Sequence, residues 1–178
     1  MAETAIIVPV LEAEPAIDHV RREHTRAGRE GLPAHVTLLY PFTDCALLAV
    51  GRIEEAESVL APFTSFDAEL TSVRHFAGPP RVLYLAPEPE EPFRLMTRAL
   101  VDAFPEHPPY GGVHALVVPH VTVAVGDEAT LAPFEQDVAR ALPISARVRE
   151  AWLMQHDEHD AWFVRHRFEF SGRGRHRA

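Results

Sequence analysis

The chain has 178 residues, 47% of them hydrophobic and 24% charged, a composition typical of a folded globular protein rather than a disordered or fibrous one. The formal net charge of −9 excludes a broad electrostatic attraction to nucleic acid or to an anionic membrane. All 17 basic residues are arginine, which excludes the lysine chemistry of P-loops, Schiff bases and ligases that carry AMP on lysine.

Targeting signals and cysteine content indicate a cytoplasmic protein without cysteine-based sites. No apolar run approaches the roughly 20 residues that span a bilayer, and Glu3 stands where a secretion signal carries basic residues. Cys45 is the only cysteine, so no intramolecular disulfide and no cysteine cluster for a metal is expected. We therefore expect a cytoplasmic protein that contacts no membrane.

The first half of the chain predicts strand, helix, strand, helix and strand in that order. Ile6 to Leu11 form a short apolar strand, after which apolar residues recur at helical spacing until Gly28 ends the helix. The stretch HVTLLY predicts a second strand, and Thr43 or Asp44 can cap the helix that follows it. Alternating apolar and polar residues from Phe66 to Phe76 then indicate a half-buried strand.

The second half repeats this order from Arg81. RVLYLA predicts a strand, and Pro92 lies where the first turn of a helix tolerates proline. HVTVAV predicts the next strand, followed by a helix that Asp127 can cap and in which Pro133 must lie within the first turn. Apolar and polar residues alternate over residues 144–148, as they do in the last predicted strand of the first half.

The matching order of elements indicates an internal duplication, approximately residues 5–76 and 81–156, within one bilobal domain of residues 1–170. A final strand pairs with the strand before it through the polar turn HDEHD, and four of its residues are expected on one face: Trp162, Val164, Phe168 and Phe170. The basic, glycine-rich tail of residues 171–178 is expected to be flexible.

Each half contains one His-Val-Thr tripeptide at the same place in the repeated unit. In a strand, residues i and i+2 point to the same face, so His35 projects with Thr37 and His120 projects with Thr122. A single His-x-Thr is a weak signal, but matched positions in a duplicated unit favour a shared site between the two halves. The alternate residues of the first motif are expected to face the core: Val36, Leu38 and Tyr40.

Two histidines and two hydroxyls suit an in-line displacement at phosphorus. Such a reaction needs a base behind the attacking oxygen and an acid behind the departing one, and histidine serves both roles near neutral pH. Threonine hydroxyls can donate hydrogen bonds to the non-bridging oxygens, which carry charge in the transition state. The sequence itself does not say which histidine is the acid and which is the base.

The stretches PAHVTLLYPF and PHVTVAVG, with the repeat around them, resemble the paired motifs of the two-histidine (2H) phosphoesterase superfamily, the LigT-like or 2′-5′ RNA ligase family. This resemblance implies an α+β, bilobal, pseudo-twofold fold in which two antiparallel sheets line a central cleft with helices outside. It implies a metal-independent phosphodiesterase, without cofactors, that acts on 2′,3′-cyclic phosphates or 2′-5′ linkages. The catalytic residues carried over are His35, Thr37, His120 and Thr122, with His120 as base and His35 as acid by analogy.

Three further residues are candidates for substrate binding. Arg81 can contact phosphate in bidentate fashion, and Tyr84 or Tyr110 can stack on a base. Because the chain is acidic, we expect a small nucleotide or an RNA terminus with a cyclic phosphate rather than an extended nucleic acid. The chain is expected to act as a monomer.

Two alternative functions remain open at this point. A metal-dependent hydrolase could use the cluster His156, Asp157, His159, Asp160 and His166, although a polar hairpin turn explains most of this cluster and no metal site is expected. A non-catalytic nucleotide-binding regulatory module is the other alternative. Binding alone, however, does not require two proton-transfer groups.

Overall fold

Eight β-strands and five α-helices follow one another in the computed structural model of the chain, which describes residues 3–44, 48, 50–108 and 117–172. The strands are β1 (Thr4–Pro9), β2 (His35–Leu39), β3 (Phe66–Phe76), β4 (Arg81–Glu88), β5 (Val121–Gly126), β6 (Ile144–Val148), β7 (Glu150–His156) and β8 (Trp162–Glu169). The helices are α1 (Glu14–His24), α2 (Arg26–Arg29), α3 (Val50–Leu60), α4 (Glu91–Ala103) and α5 (Glu128–Ala139), with a short 3-10 helix, Leu11–Ala13, before α1.

The strands form an antiparallel arrangement in the order β6-β3-β4-β5-β2-β1-β7-β8. We call β2, β1, β7 and β8 the first lobe and β5, β4, β3 and β6 the second lobe. The two lobes meet where β2 pairs with β5 through Val36 and Val121. The α+β fold expected from the sequence is confirmed, and its two antiparallel sheets are the halves of one eight-stranded sheet.

Each lobe contains strands from both halves of the sequence. β3 belongs to the first half but pairs with β4 of the second, and β7 belongs to the second half but pairs with β1 of the first. The topological counterpart of β3 is therefore β7. The order of elements along the sequence had instead matched β3 with β6. The four-residue connection between β3 and β4 accounts for this, since strands joined by a short loop usually pair with each other. The proposed domain limits and the bounds of the repeat stay predictions.

The core lies on one face of the sheet, beneath the helices. Alternate residues of the central strands, such as Ile6, Val36, Leu83 and Val121, pack there against the apolar faces of the helices. The α-helices contribute to this helix-covered face with Ile17, Val20, Ala56, Leu60, Phe93, Met96, Leu100, Leu131 and Val138. The opposite face of the first lobe carries a smaller apolar cluster built on Ala5, Ile7, Leu32, Trp152 and Met154. We call this second face the cleft face.

β-bulges change which face some residues occupy. In β2, Thr37 pairs with Ile7 and Leu39 pairs with Ile6, so Leu38 is the extra residue. Leu38 and Leu39 are both buried in the helix-side core, and Tyr40 is shifted to the cleft face. The expectation that Tyr40 faces the core is wrong, because strict alternation does not account for an inserted residue.

The equivalent bulge occurs in β5, where Thr122 pairs with Tyr84 and Ala124 with Leu83, leaving Val123 as the extra residue. The two His-Val-Thr strands are therefore pseudo-symmetric even in their β-bulges, which lie at equivalent positions. A further bulge in β8 separates the four residues expected on one face. Trp162 and Val164 pack with the cleft-face cluster, while Phe168 and Phe170 join the helix-side core.

The helix boundaries follow the sequence signals in part. The side chain of Asp127 caps α5 by accepting from the backbone N of Thr130 at 2.8 Å, and Pro92 lies in the first turn of α4, as predicted. Pro133, however, lies inside α5 beyond its first turn. The first helix ends at His24 rather than at Gly28, because Thr25 is extended and caps α2 instead.

None of the helices within the described ranges has the length and hydrophobicity needed to cross a membrane. Three subjects of the sequence analysis lie outside the described residues: Cys45, Tyr110 and the tail from residue 173 onward.

Candidate active site

The two His-Val-Thr motifs lie side by side at the centre of the sheet. The pairing of Val36 with Val121 is antiparallel, so it places His35 opposite Thr122 and Thr37 opposite His120. The valines are buried on the helix-covered face, and the four polar side chains project from the other face. Each histidine therefore has its own threonine two residues away and the other motif's threonine across the strand boundary.

Both imidazoles are oriented by the same backbone contact. His35 Nδ1 lies 2.7 Å from the carbonyl oxygen of Pro33, and His120 Nδ1 lies 2.7 Å from the carbonyl oxygen of Val118. Because a carbonyl oxygen only accepts, each Nδ1 carries a hydrogen and donates it. This arrangement leaves Nε2 of each ring as the nitrogen that can exchange a proton with a substrate.

A buried arginine connects the two motif strands from the helix-covered side. Arg21 of α1 is 2% exposed. Its Nη2 donates to the carbonyl oxygens of Leu32 and Pro33 at 2.9 and 3.0 Å, and its Nε donates to the carbonyl oxygen of Thr122 at 3.2 Å. The guanidinium thus holds the segment before His35 against the strand that carries Thr122.

Glu14, at the start of α1, completes this arrangement. Its Oε1 lies 3.5 Å from Arg21 Nη1 and accepts a hydrogen bond from the backbone N of Ala34. The Glu14 carboxylate therefore fixes Ala34, the residue immediately before His35. Arg21 holds Leu32 and Pro33, the two residues before Ala34. Neither residue is identifiable as part of the site from the sequence, because Glu14 and Arg21 resemble ordinary polar positions of an amphipathic helix.

The electrostatic environment favours the neutral form of His35. Burial, followed by the charge of Arg21, lowers the pKa of His35 from 6.5 to about 3, and the charge of His120 contributes in the same direction. The hydrogen bond to Pro33 opposes this shift. His35 is therefore a neutral imidazole at neutral pH, with an unprotonated Nε2.

A cavity of 190 Å³ opens beside the first motif, on the cleft face of the first lobe. Its lining combines apolar, aromatic, polar and charged side chains: Glu3, Ala5, Ile7, Arg26, Ala27, Glu30, Leu32, His35, Thr37, Tyr40 and Trp162. The rings of Tyr40 and Trp162 lie 6.4 Å apart in an edge-on arrangement. Tyr40 donates to Glu3 Oε2 at 2.6 Å, and burial with this contact raises the pKa of Tyr40 to about 12.

Aromatic rings occupy the corresponding space beside His120. The ring of Phe76 stacks on Tyr84 at 4.2 Å, and both rings contact the His120 imidazole edge-on, at 4.9 and 5.5 Å. In the strand pairing, Tyr84 takes the position that Ile7 has in the first lobe. The cleft is therefore asymmetric, with a cavity beside His35 and a packed aromatic wall beside His120.

The candidate binding residues are distributed differently from the expectation. Tyr84 does lie at the site, but it is 5% exposed and Phe76 covers one face of its ring, so little surface is open for stacking. Arg81 shares the helix-covered face with Leu83 and pairs with Glu128 at 3.1 Å. The position of Arg81 does not support a phosphate contact at the paired motifs.

Only two residues of the histidine-rich cluster proposed from the sequence lie together as possible metal ligands in the structure. His156 and Asp160 come together with Glu30, a residue that the sequence analysis did not include. Asp157 shapes the turn instead, since its Oδ1 accepts from the backbone N of His159 and of Ala161. His166 points elsewhere, with Nε2 4.0 Å from Glu57.

Comparison with known proteins gives a consistent family and fold. The family model for the 2′-5′ RNA ligase superfamily matches residues 9–160. Among curated proteins, none is significantly similar to this sequence.

Solved structures share the architecture at low sequence identity. The crystal structure of TT0787 from Thermus thermophilus superposes with a TM-score of 0.63 at 18% identity, covering 97% of this chain and 100% of that one. Escherichia coli LigT in complex with 3′-AMP gives a TM-score of 0.61 at 16% identity, covering 94% and 97%. The same protein in complex with phosphate gives 0.56 at 18% identity, covering 95% and 97%. At these identities the likeness shows the fold.

Proposed function

The chain belongs to the 2′-5′ RNA ligase superfamily, and from that premise we propose that it is a metal-independent phosphodiesterase acting on 2′,3′-cyclic phosphates or 2′-5′-linked nucleotides. Membership of this superfamily supports a phosphoesterase-type activity. The observation that carries the finer proposal is the antiparallel adjacency of two His-x-Thr motifs, each with its histidine Nδ1 tied to a backbone carbonyl.

The proposed reaction with a 2′,3′-cyclic phosphate is an in-line displacement by water. The water oxygen attacks phosphorus and gives a proton to Nε2 of the neutral histidine, while the bond between phosphorus and the 3′ oxygen breaks. The departing 3′ oxygen takes a proton from Nε2 of the other, protonated histidine, and the product is a 2′-phosphate. Hydroxyls of Thr37 and Thr122 donate to the non-bridging oxygens, whose charge grows in the transition state.

The electrostatics favour an unprotonated His35, and on this ground we assign His35 as the base and, by exclusion, His120 as the acid. A base must be unprotonated before the reaction, and the lowered pKa of His35 supports that state over the whole neutral range. This assignment is opposite to the one that the family resemblance implies by analogy. Because one group must be neutral and the other protonated, the rate is expected to fall on both sides of an optimum pH.

The cavity beside His35 supports a small substrate. Sites for drug-sized ligands occupy about 300–1,000 Å³, so a cavity of 190 Å³ suits one ring system such as a nucleobase. Tyr40 and Trp162 offer aromatic surface for such a ring. E. coli LigT has been crystallised with 3′-AMP, ATP and NADP+, and we infer that this chain likewise takes a nucleotide, with its base in the cavity.

The decisive experiment is turnover of a defined substrate panel in the presence of EDTA. The panel contains nucleoside 2′,3′-cyclic phosphates, a 2′-5′-linked dinucleotide and the matching 3′-5′-linked dinucleotide, with phosphorus NMR to locate the product phosphate. Hydrolysis of the cyclic or 2′-5′ compounds to 2′-phosphorylated products is expected. Nucleotide binding without turnover would instead favour a regulatory module, and activity abolished by EDTA would favour a metal-dependent hydrolase.

A further inference from the structure

A second group of polar side chains lies at the edge of the first lobe, outside the two strands that carry the paired motifs. Glu30 follows α2, whereas His156 ends β7 and Asp160 lies in the turn before β8. His156 Nε2 is 3.3 Å from Glu30 Oε2 and 3.9 Å from Asp160 Oδ1, and the three ligand atoms all lie within 4.8 Å of one another. We call this group the Glu30 cluster.

The imidazole at the centre of the Glu30 cluster has two charged neighbours but no hydrogen-bond partner for Nε2 among the described residues. His156 is 6% exposed, and its Nε2 makes no hydrogen bond to any residue that the structure describes. Buried side-chain nitrogens are nearly always hydrogen-bonded, so this atom requires an explanation. Nε2 lies close to two carboxylates without hydrogen-bonding to either, and a cation shared by the three groups would satisfy all of them.

Surrounding contacts hold Glu30 in place for this role. Arg26 Nε donates to Oε1 at 2.6 Å and Trp162 Nε1 donates to Oε2 at 3.1 Å, while the backbone N of Trp162 donates to the Glu30 carbonyl at 2.9 Å. Outer contacts of this kind commonly orient metal-binding carboxylates. Oε2 keeps a second lone pair that is available to an ion.

The turn that carries Asp160 is also well defined. Asp160 has a positive φ of 58°, a conformation that aspartate tolerates better than most residues, and Asp157 ties the turn with two backbone hydrogen bonds. The Asp160 side chain is 84% exposed, so it can rotate toward an ion without disturbing the core.

We propose that Glu30, His156 and Asp160 form a binding site for a divalent transition-metal ion of the zinc class. One imidazole nitrogen with two carboxylate oxygens suits such ions, whereas magnesium and calcium prefer oxygen ligands alone. Ligand bonds of about 2.0–2.2 Å in a tetrahedral site place donor atoms about 3.4 Å apart. The separation of 3.3 Å between His156 and Glu30 already meets this requirement, and rotation of Asp160 shortens the others. Water occupies the fourth position.

The site is separate from the proposed histidine chemistry and does not depend on it. The ion links the segment after α2 to the turn between β7 and β8, and so closes the outer edge of the first lobe. Glu30 also lines the cavity beside His35. Binding therefore stiffens one wall of that cavity and stabilises the folded state, since only the folded chain brings the three ligands together.

The test uses the full chain after chelator treatment, titrated with Co²⁺ and, separately, with Zn²⁺ by equilibrium dialysis. We expect one saturable equivalent, a visible Co²⁺ absorption of a low-coordinate site, and a higher melting temperature with Zn²⁺. His156→Ala should weaken binding at least 10-fold. The matched control is His159→Ala in the same turn, which should bind as the wild type does.

His156 is buried, and its replacement could disturb folding. Asp160→Asn avoids this difficulty because the side chain is exposed, and it should also weaken binding at least 10-fold with an unchanged melting temperature in the absence of metal. The proposal is overturned by the absence of a saturable equivalent, by binding that survives both substitutions, or by equal loss in His159→Ala. The first of these results would indicate that His156 forms an ordinary ion pair with Glu30 and Asp160.

Discussion

Val36 and Val121 pair across the boundary between the two lobes, and this pair sets the geometry of the candidate site. A local twofold axis at an antiparallel pair exchanges the residues on either side of it. The residues exchanged here are His35 with His120 and Thr37 with Thr122. One backbone contact therefore explains how a repeated tripeptide forms the two-sided site that we propose as the reaction centre.

Removal of either histidine tests the proposed chemistry directly. His35→Ala and His120→Ala are each expected to lower turnover about 10² to 10⁴-fold, the usual range for loss of a positioned acid or base. Steady-state kinetics on a 2′,3′-cyclic nucleotide measures the effect. His19→Ala, on the exposed face of α1, is the control and should keep wild-type activity. Full activity in either motif variant would contradict the assignment of that histidine.

Arg21 is expected to act as a positioning residue for both motifs. Arg21→Met removes a positive charge that lowers the pKa of His35, so the acidic limb of the kcat/KM profile should move to higher pH. The substitution also leaves Glu14 without its ion-pair partner, at a stability cost of at most about 3–5 kcal/mol because Glu14 is partly exposed and keeps the hydrogen bond from Ala34. The double variant with Glu14→Gln limits this cost and should show the same shift in the pH profile.

The neighbouring residue provides the control for Arg21. Arg22 has a side chain that is 70% exposed and pairs with Asp18 on the surface of the same helix. Arg22→Met should leave both the pH profile and the melting temperature nearly unchanged, since exposed ion pairs contribute little. Coincident pH profiles for the Arg21 and Arg22 variants would show that Arg21 serves stability alone.

The lowered pKa of His35 should make the protein less stable in acid. In the unfolded chain His35 binds a proton near pH 6.5, whereas in the folded protein its pKa is about 3. Between these values only the unfolded state binds the proton, so the free energy of unfolding falls by at most about 1.4 kcal/mol per unit decrease in pH. His35→Gln removes this contribution. Urea unfolding from pH 7 to pH 4 should show a smaller loss for the variant, and parallel curves would refute the shift.

Gly28 should be sensitive to the smallest possible side chain. A Cβ at this position would lie 2.4 Å from the backbone carbon and oxygen of Arg21, so α1 and α2 would have to separate. Gly28→Ala is expected to cost about 1–3 kcal/mol, the usual range for overpacking, and to lower activity through the displaced Arg21. Gly51→Ala in α3 is the matched control, because apart from its own helix backbone and chain neighbours no atom of the described residues lies within 4 Å of a Cβ at this position. Equal melting temperatures for the two variants would contradict the close contact.

The cavity beside His35 can be tested by filling it. Ala27 is half-buried and lines the cavity, so Ala27→Leu should raise KM for nucleoside 2′,3′-cyclic phosphates about 10-fold, with a much smaller change in kcat. The reason is that the base loses space while the reacting phosphate keeps its contacts. Ala132→Leu on the exposed side of α5 is the control. An unchanged KM would place the base elsewhere.

The sequence by itself determined most of the helices and strands and the pairing of residues within each motif. Helix and strand periods are local properties, and alternation alone places His35 with Thr37 and His120 with Thr122 on common faces. The resemblance of the two motifs to the 2H phosphoesterase superfamily also implied the antiparallel α+β architecture, which the structure confirms. The monomeric state and the cytoplasmic location stay predictions.

The tertiary structure decided everything that depends on residues distant in sequence or on an inserted residue. The bulge at Leu38 moves Tyr40 into the cavity, and the bulge in β8 moves Trp162 to the same face. Arg21 reaches the strand of Thr122, and Glu30 meets His156, only because separate elements pack together. A periodic pattern predicts the direction of a side chain relative to its neighbours in the chain. It does not identify the distant residue that packs against that side chain in the folded protein.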